Sequence, residues 1–143
     1  MSEEIVGKMR GASTGFHGGA IFRLTNGQVW QQKVYKYRYR YRYRPDVRIF
    51  TEKGGYVIHI EGMDETVSVV KVAIVEEGVI VSDFKGFDQD ARFEFQNGSV
   101  WVPAEYKYAY HYAHRPEAII INGIDGMQMS VEGMSETIRV RRA

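Results

Sequence analysis

Hydrophobic and polar residues alternate in short runs along this chain, and the runs have the period of strands. Ile21-Phe22-Arg23-Leu24-Thr25 alternates with a period of two, which sends neighbouring side chains to opposite faces. Asn26-Gly27 follows, a strong short hairpin signal, and a returning strand starts at Gln28-Val29-Trp30. Residues 47–51 and 56–61 are rich in β-branched and aromatic side chains, with the turn residues Lys53-Gly54-Gly55 between them. A second turn, Gly62-Met63-Asp64-Glu65, leads into a strand over 66–72. The order then returns, with strands expected over 91–95, 99–112, 118–122, 127–132 and 137–142. Ile5-Val6 adds a short strand, and the runs 73–77 and 79–84 are expected to flank a break at Gly78. No stretch carries a helical period.

The return is a repeat. Asn26-Gly27-Gln28-Val29-Trp30 comes back as Asn97-Gly98-Ser99-Val100-Trp101. At that same spacing, and without any gap, 20 of the 51 positions from Phe22 to Val72 are identical in the second copy, far above chance. Upstream, Gly15-Phe16 and Ala20 are answered by Gly86-Phe87 and Ala91. The expected architecture is all-β: a tandem duplication of a small SH3-like barrel or roll, residues 1–72 and 73–143, related by approximate two-fold symmetry and packed through the long tyrosine strands. A roll in which both copies share one sheet is the alternative. Trp30 and Trp101, with Phe22 and Phe93, are expected to plug the two cores, and Pro45 and Pro116 to end matching strands.

Composition narrows the class. Hydrophobic residues are 44% and charged residues 26% of 143, as in ordinary globular chains, which argues against wholesale disorder. No apolar run reaches the length of a membrane span, and the acidic start Met1-Ser2-Glu3-Glu4 does not read as a secretory signal. There is no cysteine, so disulfides, thiolate metal sites and cysteine nucleophiles drop out together, and cytoplasmic residence is expected.

Gly15-Phe16, the run from Phe22 to Gln32, Glu61-Gly62 and Val69-x-Lys71 carry a resemblance. They resemble a small all-β repeat of uncharacterised bacterial proteins, some from mobile gene cassettes, with the pattern G-x-F and then F-x-L-x-N-G-Q-V-W-x-Q. The second copy keeps Gly86-Phe87, Phe93, Asn97-Gly98 and Val100-Trp101, but has Val102-Pro103 in place of Gln31-Gln32. The resemblance implies a fold and brings no activity with it.

Nine of the ten tyrosines fall in two segments: Tyr35, Tyr37, Tyr39, Tyr41 and Tyr43, then Tyr106, Tyr108, Tyr110 and Tyr112. Strict alternation puts each set on one strand face. The opposite face holds Lys36, Arg38, Arg40, Arg42 and Arg44 in the first copy, but Lys107, Ala109, His111, Ala113 and Arg115 in the second. The tyrosine face is therefore read as architecture or interface, and the cationic face as the part free to specialise. The cations also unbalance the chain: the segment from Lys33 to Arg48 holds seven Lys and Arg against Asp46 alone. The overall charge of +1 hides a first copy, Phe22 to Val72, of +5 and a second, Phe93 to Ala143, of −1.

Candidate chemistry is sparse. His111-x-x-His114 has metal-ligand types, but residues three apart on a strand face opposite ways. No nucleophile elbow is present, and Gly18-Gly19 and Gly54-Gly55 precede no helix, so no phosphate-cradling loop is read there. No cofactor, metal or catalytic residue is assigned. The expected function is a non-enzymatic interaction module that self-associates or takes a protein partner through Tyr35, Tyr37, Tyr39, Tyr41, Tyr106, Tyr108, Tyr110 and Tyr112. One alternative is binding of single-stranded DNA or RNA through Lys36, Arg38, Arg40, Arg42 and Arg44, with the tyrosines stacking on bases. The other is an enzyme acting on an anionic small molecule.

Overall fold

The computed structural model describes residues 4–143, so Met1 to Glu3 of the acidic start lie outside the described residues. The fold is all-β, and among the described residues no helix is long and apolar enough to cross a membrane. The chain divides into two compact units, Met1–Val72 and Ala73–Ala143.

Unit 1 contains β1 (Glu4–Lys8), β2 (Ala12–Phe16), β3 (Ile21–Arg23), β4 (Val29–Gln32), β5 (Arg38–Tyr43), β6 (Asp46–Glu52), β7 (Gly55–Ile60) and the first half of β8 (Thr66–Val79). Antiparallel pairing runs β1-β6-β7-β8-β4-β3, and β2 pairs with β5 in a separate two-stranded ribbon. An isolated bridge, Met9 to Leu24, links the ends of the two edge strands β1 and β3. The hairpin at Asn26-Gly27 forms because Gly27 takes φ 91°, and the Asn26 carboxamide oxygen accepts the Gln28 amide at 2.9 Å. Inside lies a core that includes Phe16, Phe22, Leu24, Trp30, Ile49, Ile58 and Ile60.

Unit 2 contains the second half of β8, then β9 (Phe84–Phe87), β10 (Phe93–Glu94), β11 (Val100–Pro103), β12 (Ala109–Ala113), β13 (Glu117–Gly123), β14 (Gly126–Val131) and β15 (Thr137–Arg142). Here pairing runs β8-β13-β14-β15-β11-β10, β12 pairs with β9, and Ile80 bridges to Phe95. The strands come in the order of unit 1, with β9 answering β2, β11 answering β4, β12 answering β5 and β13 answering β6. The core positions correspond as well: Leu24 by Phe95, Val47 by Ala118, Ile58 by Met129. Two buried sites differ in kind: Ser13 in β2 corresponds to Phe84 in β9, and Val57 in β7 to Gln128 in β14.

Three expected elements come out differently. Gly78 does not break a strand; β8 runs through it for 14 residues, because the missing side chain lets the backbone approach the Phe95 ring. The strand expected over 99–112 is two strands. Pro103 ends the first, and the Glu105 carboxylate then accepts the Arg139 amide at 2.7 Å. The ladder strand starts at Arg38 rather than Tyr35. Buried Gln32 donates its side-chain amide to the carbonyls of Val34 and Lys36 at 2.9 and 3.0 Å, which draws this segment out of the ladder.

Candidate interaction surface

Strands β5 and β12 carry the alternating segments, and one contact type fixes how each lies. Gly15 in β2 takes φ 94° and Gly86 in β9 takes φ 98°. A Cβ on Gly15 would collide with the carbonyl oxygen of Arg38, and one on Gly86 with that of Ala109. Only glycine permits this backbone approach, and both ribbons shift register beside it.

With the ribbon so placed, the cationic face of β5 turns towards the 61–65 turn of its own unit. The guanidinium groups of Arg40 and Arg42 lie over Gly62, with Nε of Arg40 3.1 Å from where a Cβ would stand. Arg42 Nη2 donates to Glu61 Oε2 at 3.0 Å, and Arg38 Nε to Glu65 Oε1 at 3.0 Å. Lys36 Nζ donates to the Thr66 carbonyl at 2.8 Å and lies 3.5 Å from Glu65. Glu65 is held below the ordinary carboxylate range, first by the hydrogen bond from Arg38 and further by Lys36. Arg40 has no carboxylate partner among the described residues. Arg44 takes φ 48° at the end of the ribbon, as Arg115 does at 49°. Two carboxylates thus hold three of the five cations of the stripe, which stays net positive.

Unit 2 shows what survives without these cations. Lys107 Nζ donates to the Thr137 carbonyl at 2.5 Å, as Lys36 does to Thr66, and the His111 ring lies over Gly133 as Arg40 lies over Gly62.

The tyrosines face solvent in both units. Exposure runs from 56% at Tyr37 to 79% at Tyr35, and from 60% at Tyr112 to 81% at Tyr106. Within unit 1 the cation face of β5 meets the protein and the ring face is open. Trp30 and Trp101, in contrast, are buried at 2% and 1%.

Two arrangements escaped the sequence reading. In unit 2, the Glu76 carboxylate accepts hydrogen bonds from the Ser99 hydroxyl, the Asn97 amide at 2.9 Å and the Trp101 indole at 2.5 Å. Arg142 stacks on the same indole, 4.6 Å from its centroid. Burial pushes the Glu76 pKa up, but the bonds from Ser99, Asn97 and Trp101, with the charge of Arg142, outweigh it and leave the group below its ordinary value. Unit 1 has Ile5 at the position of Glu76, and the Trp30 indole donates to Gln28 Oε1 instead, at 3.2 Å. The second arrangement is an open groove of about 1210 Å³ lined by unit 1 alone, including Trp30, Lys33, Lys53, Tyr56, Ser68 and Lys71.

No group of three or more histidine and acidic side chains able to hold a metal occurs among the described residues. His59 Nε2 is engaged with the Met63 carbonyl at 2.8 Å. Comparison with known proteins gives no matching family model, curated protein or solved structure.

Proposed function

We propose that the chain is a non-catalytic interaction module: two copies of one small SH3-like barrel unit that offer tyrosine-faced ribbons to a protein surface, in the first instance a second copy of the chain. The recurrence of strand order, core positions and bridging pairs, with Met9 and Leu24 answered by Ile80 and Phe95, supports the duplication. The bridges that join edge strand to edge strand support a barrel-like closure of each unit. The expected setting is the cytoplasm.

One observation carries the interaction reading. All nine ladder tyrosines are exposed although the residues between them change from arginine to alanine and histidine. Rings that stabilise no core and are kept beside unlike neighbours fit a contact surface. Tyrosine is suited to one, since it offers large rigid area with a hydroxyl that tolerates water before binding. Each ring buries on the order of 150 Å², so Tyr39, Tyr41 and Tyr43 on β5 supply about half of the roughly 800 Å² per partner of a stable interface, and the exposed Tyr35 and Tyr37 before the strand add to it. Among the described residues the ribbon strand β5 pairs only with β2, and its other edge can take an added strand. The single-strand nucleic-acid reading through Lys36, Arg38, Arg40, Arg42 and Arg44 is weakened by Glu61 and Glu65, which already occupy three of those cations.

Light scattering across a concentration series tests the proposal. A dimer or larger species is expected, reverting to monomer in Tyr39→Ser/Tyr41→Ser or Tyr110→Ser/Tyr112→Ser. A strictly monomeric wild-type chain at high concentration overturns self-association. Salt-sensitive retention of a single-stranded oligonucleotide, lost in Arg38→Ala/Arg40→Ala/Arg42→Ala, would favour the nucleic-acid reading.

A further inference from the structure

From the groove in unit 1 we infer a second binding site, independent of the tyrosine faces, for a ligand that carries consecutive phosphate groups. The wall is the Trp30–Tyr56 pair, packed edge-on at 5.2 Å between ring centroids. Lys33, Lys53 and Lys71 bring exposed ammonium groups to it from three separate elements: the segment after β4, the turn between β6 and β7, and β8. None of the three has a carboxylate partner among the described residues. Of the two glutamates on the lining, Glu4 is bound to Arg48 at 2.6 Å, and Glu52 is exposed beside Lys53 in sequence. Lys36 is held by the Thr66 carbonyl and Glu65. Three free cations around one concavity repel one another, and a multiply charged anion relieves that cost.

Unit 2 acts as an internal control. The positions of Lys33, Lys53 and Lys71 hold Ala104, Ile124 and Arg142 there. Arg142 is already stacked on Trp101, and the position of Ile5 holds Glu76, a built-in carboxylate bound to the indole. The same place in the second unit has lost two of the three cations and also the two lining glutamates, which are Val75 and Gly123 there, and has gained Glu76. Lysine, a compact point charge on a flexible stem, suits phosphate charge without the fixed geometry that bidentate arginine imposes. The volume is larger than a lone anion needs and reaches past the usual range for small-ligand pockets. It therefore suits a chain of phosphates, alone or on a larger body.

Calorimetry on the intact chain at low ionic strength, with inorganic tripolyphosphate and with ATP, tests this. Binding is expected to weaken at least tenfold in Lys33→Ala/Lys53→Ala/Lys71→Ala and to stay within about threefold in the matching arginine triple variant. It is also expected to persist in Tyr39→Ser/Tyr41→Ser, so the site stands or falls separately from the tyrosine reading. Equal affinity for both probes assigns recognition to the phosphates alone, and tighter ATP binding adds the Tyr56 wall. No heat at low salt, binding unaffected by the alanine triple variant, or loss in the arginine triple variant overturns the proposal. Binding lost in Arg38→Ala/Arg40→Ala/Arg42→Ala but kept in the alanine triple variant overturns it too, and moves the anion to the ladder.

Discussion

The ribbon of unit 1 and the ribbon of unit 2 have the same backbone path and the same exposed rings, yet opposite electrostatics beneath them. In unit 1, Arg38 and Arg42 meet Glu65 and Glu61. In unit 2 the acids remain as Glu136 and Glu132, but Ala109 and Ala113 stand where their cations would be. The ribbon therefore does not need the ion pairs. Both units share the glycine under the strand and the lysine that reaches a threonine carbonyl. These common contacts place the strand, and the differing side chains are free to set what each unit meets.

The largest effect is expected from attacking what the two ribbons share. Gly15→Ala and Gly86→Ala each force a side chain into a positive-φ position against a backbone carbonyl. Each is expected to cost about 2 kcal/mol or more, since neither backbone can yield without leaving the ladder. Gly27→Ala is the matched control: its φ is also positive, at 91°, but the space around it is open, so only about 1 kcal/mol is expected. Urea midpoints measured on the three variants check the order. Equal losses at Gly15 and Gly27 would mean that the close approach under the strand is not what holds the ribbon.

The next effect separates the units. Glu76→Gln keeps the shape of the side chain and removes the charge that faces Trp101 and Arg142, at an expected cost of about 1–2 kcal/mol at neutral pH. The folded pKa of Glu76 lies below its ordinary value of 4.5, so its contribution is present above that pH and fades as pH falls through the lowered folded value. Wild-type and Glu76→Gln stabilities should therefore converge in acid. Glu65 titrates in the same direction through Arg38, so Glu65→Gln/Glu76→Gln should show the flattest acid limb. Thermal melts from pH 7 to pH 3 measure both.

Much of the fold is legible in residue order because its signals are local. Asn-Gly turns, two-residue alternation and the buried tryptophans each act over a few positions, and the repeat supplies every one twice. The misses come from distant partners. Nothing near Gly78 announces that Phe95 packs on it, and β2 hides because Gly15 looks like loop until Arg38 is brought beside it. Alternation separated rings from cations but could not tell which side met the protein. That depended on Glu61 and Glu65, which reach Arg42 and Arg38 from the turn beyond β7. Glu76 looks like one of several acids in the chain, since the indole that orients it comes from a strand much further on. The groove cations are spread from Lys33 to Lys71 and come together only in the folded unit.

The smallest effect is expected where the two ribbons differ most visibly. Arg38→Ala/Arg42→Ala gives β5 the two alanines of β12 and leaves Arg40 where His111 stands, and each substitution removes one ion pair whose members are about half exposed. Exposed pairs of this kind contribute about 0–1 kcal/mol, because water screens them and holding two long side chains costs entropy. The double variant should thus shift the urea midpoint less than any of the variants above, and the loss should shrink as salt rises. Tyrosine exposure should not change, because the matching rings of unit 2 stay open above alanines. Accessibility of the ladder tyrosines to iodination or tetranitromethane, beside the urea midpoint, reads both quantities. A large stability loss, or rings that become protected, would show that the arginines hold the first ribbon in a way the second has replaced.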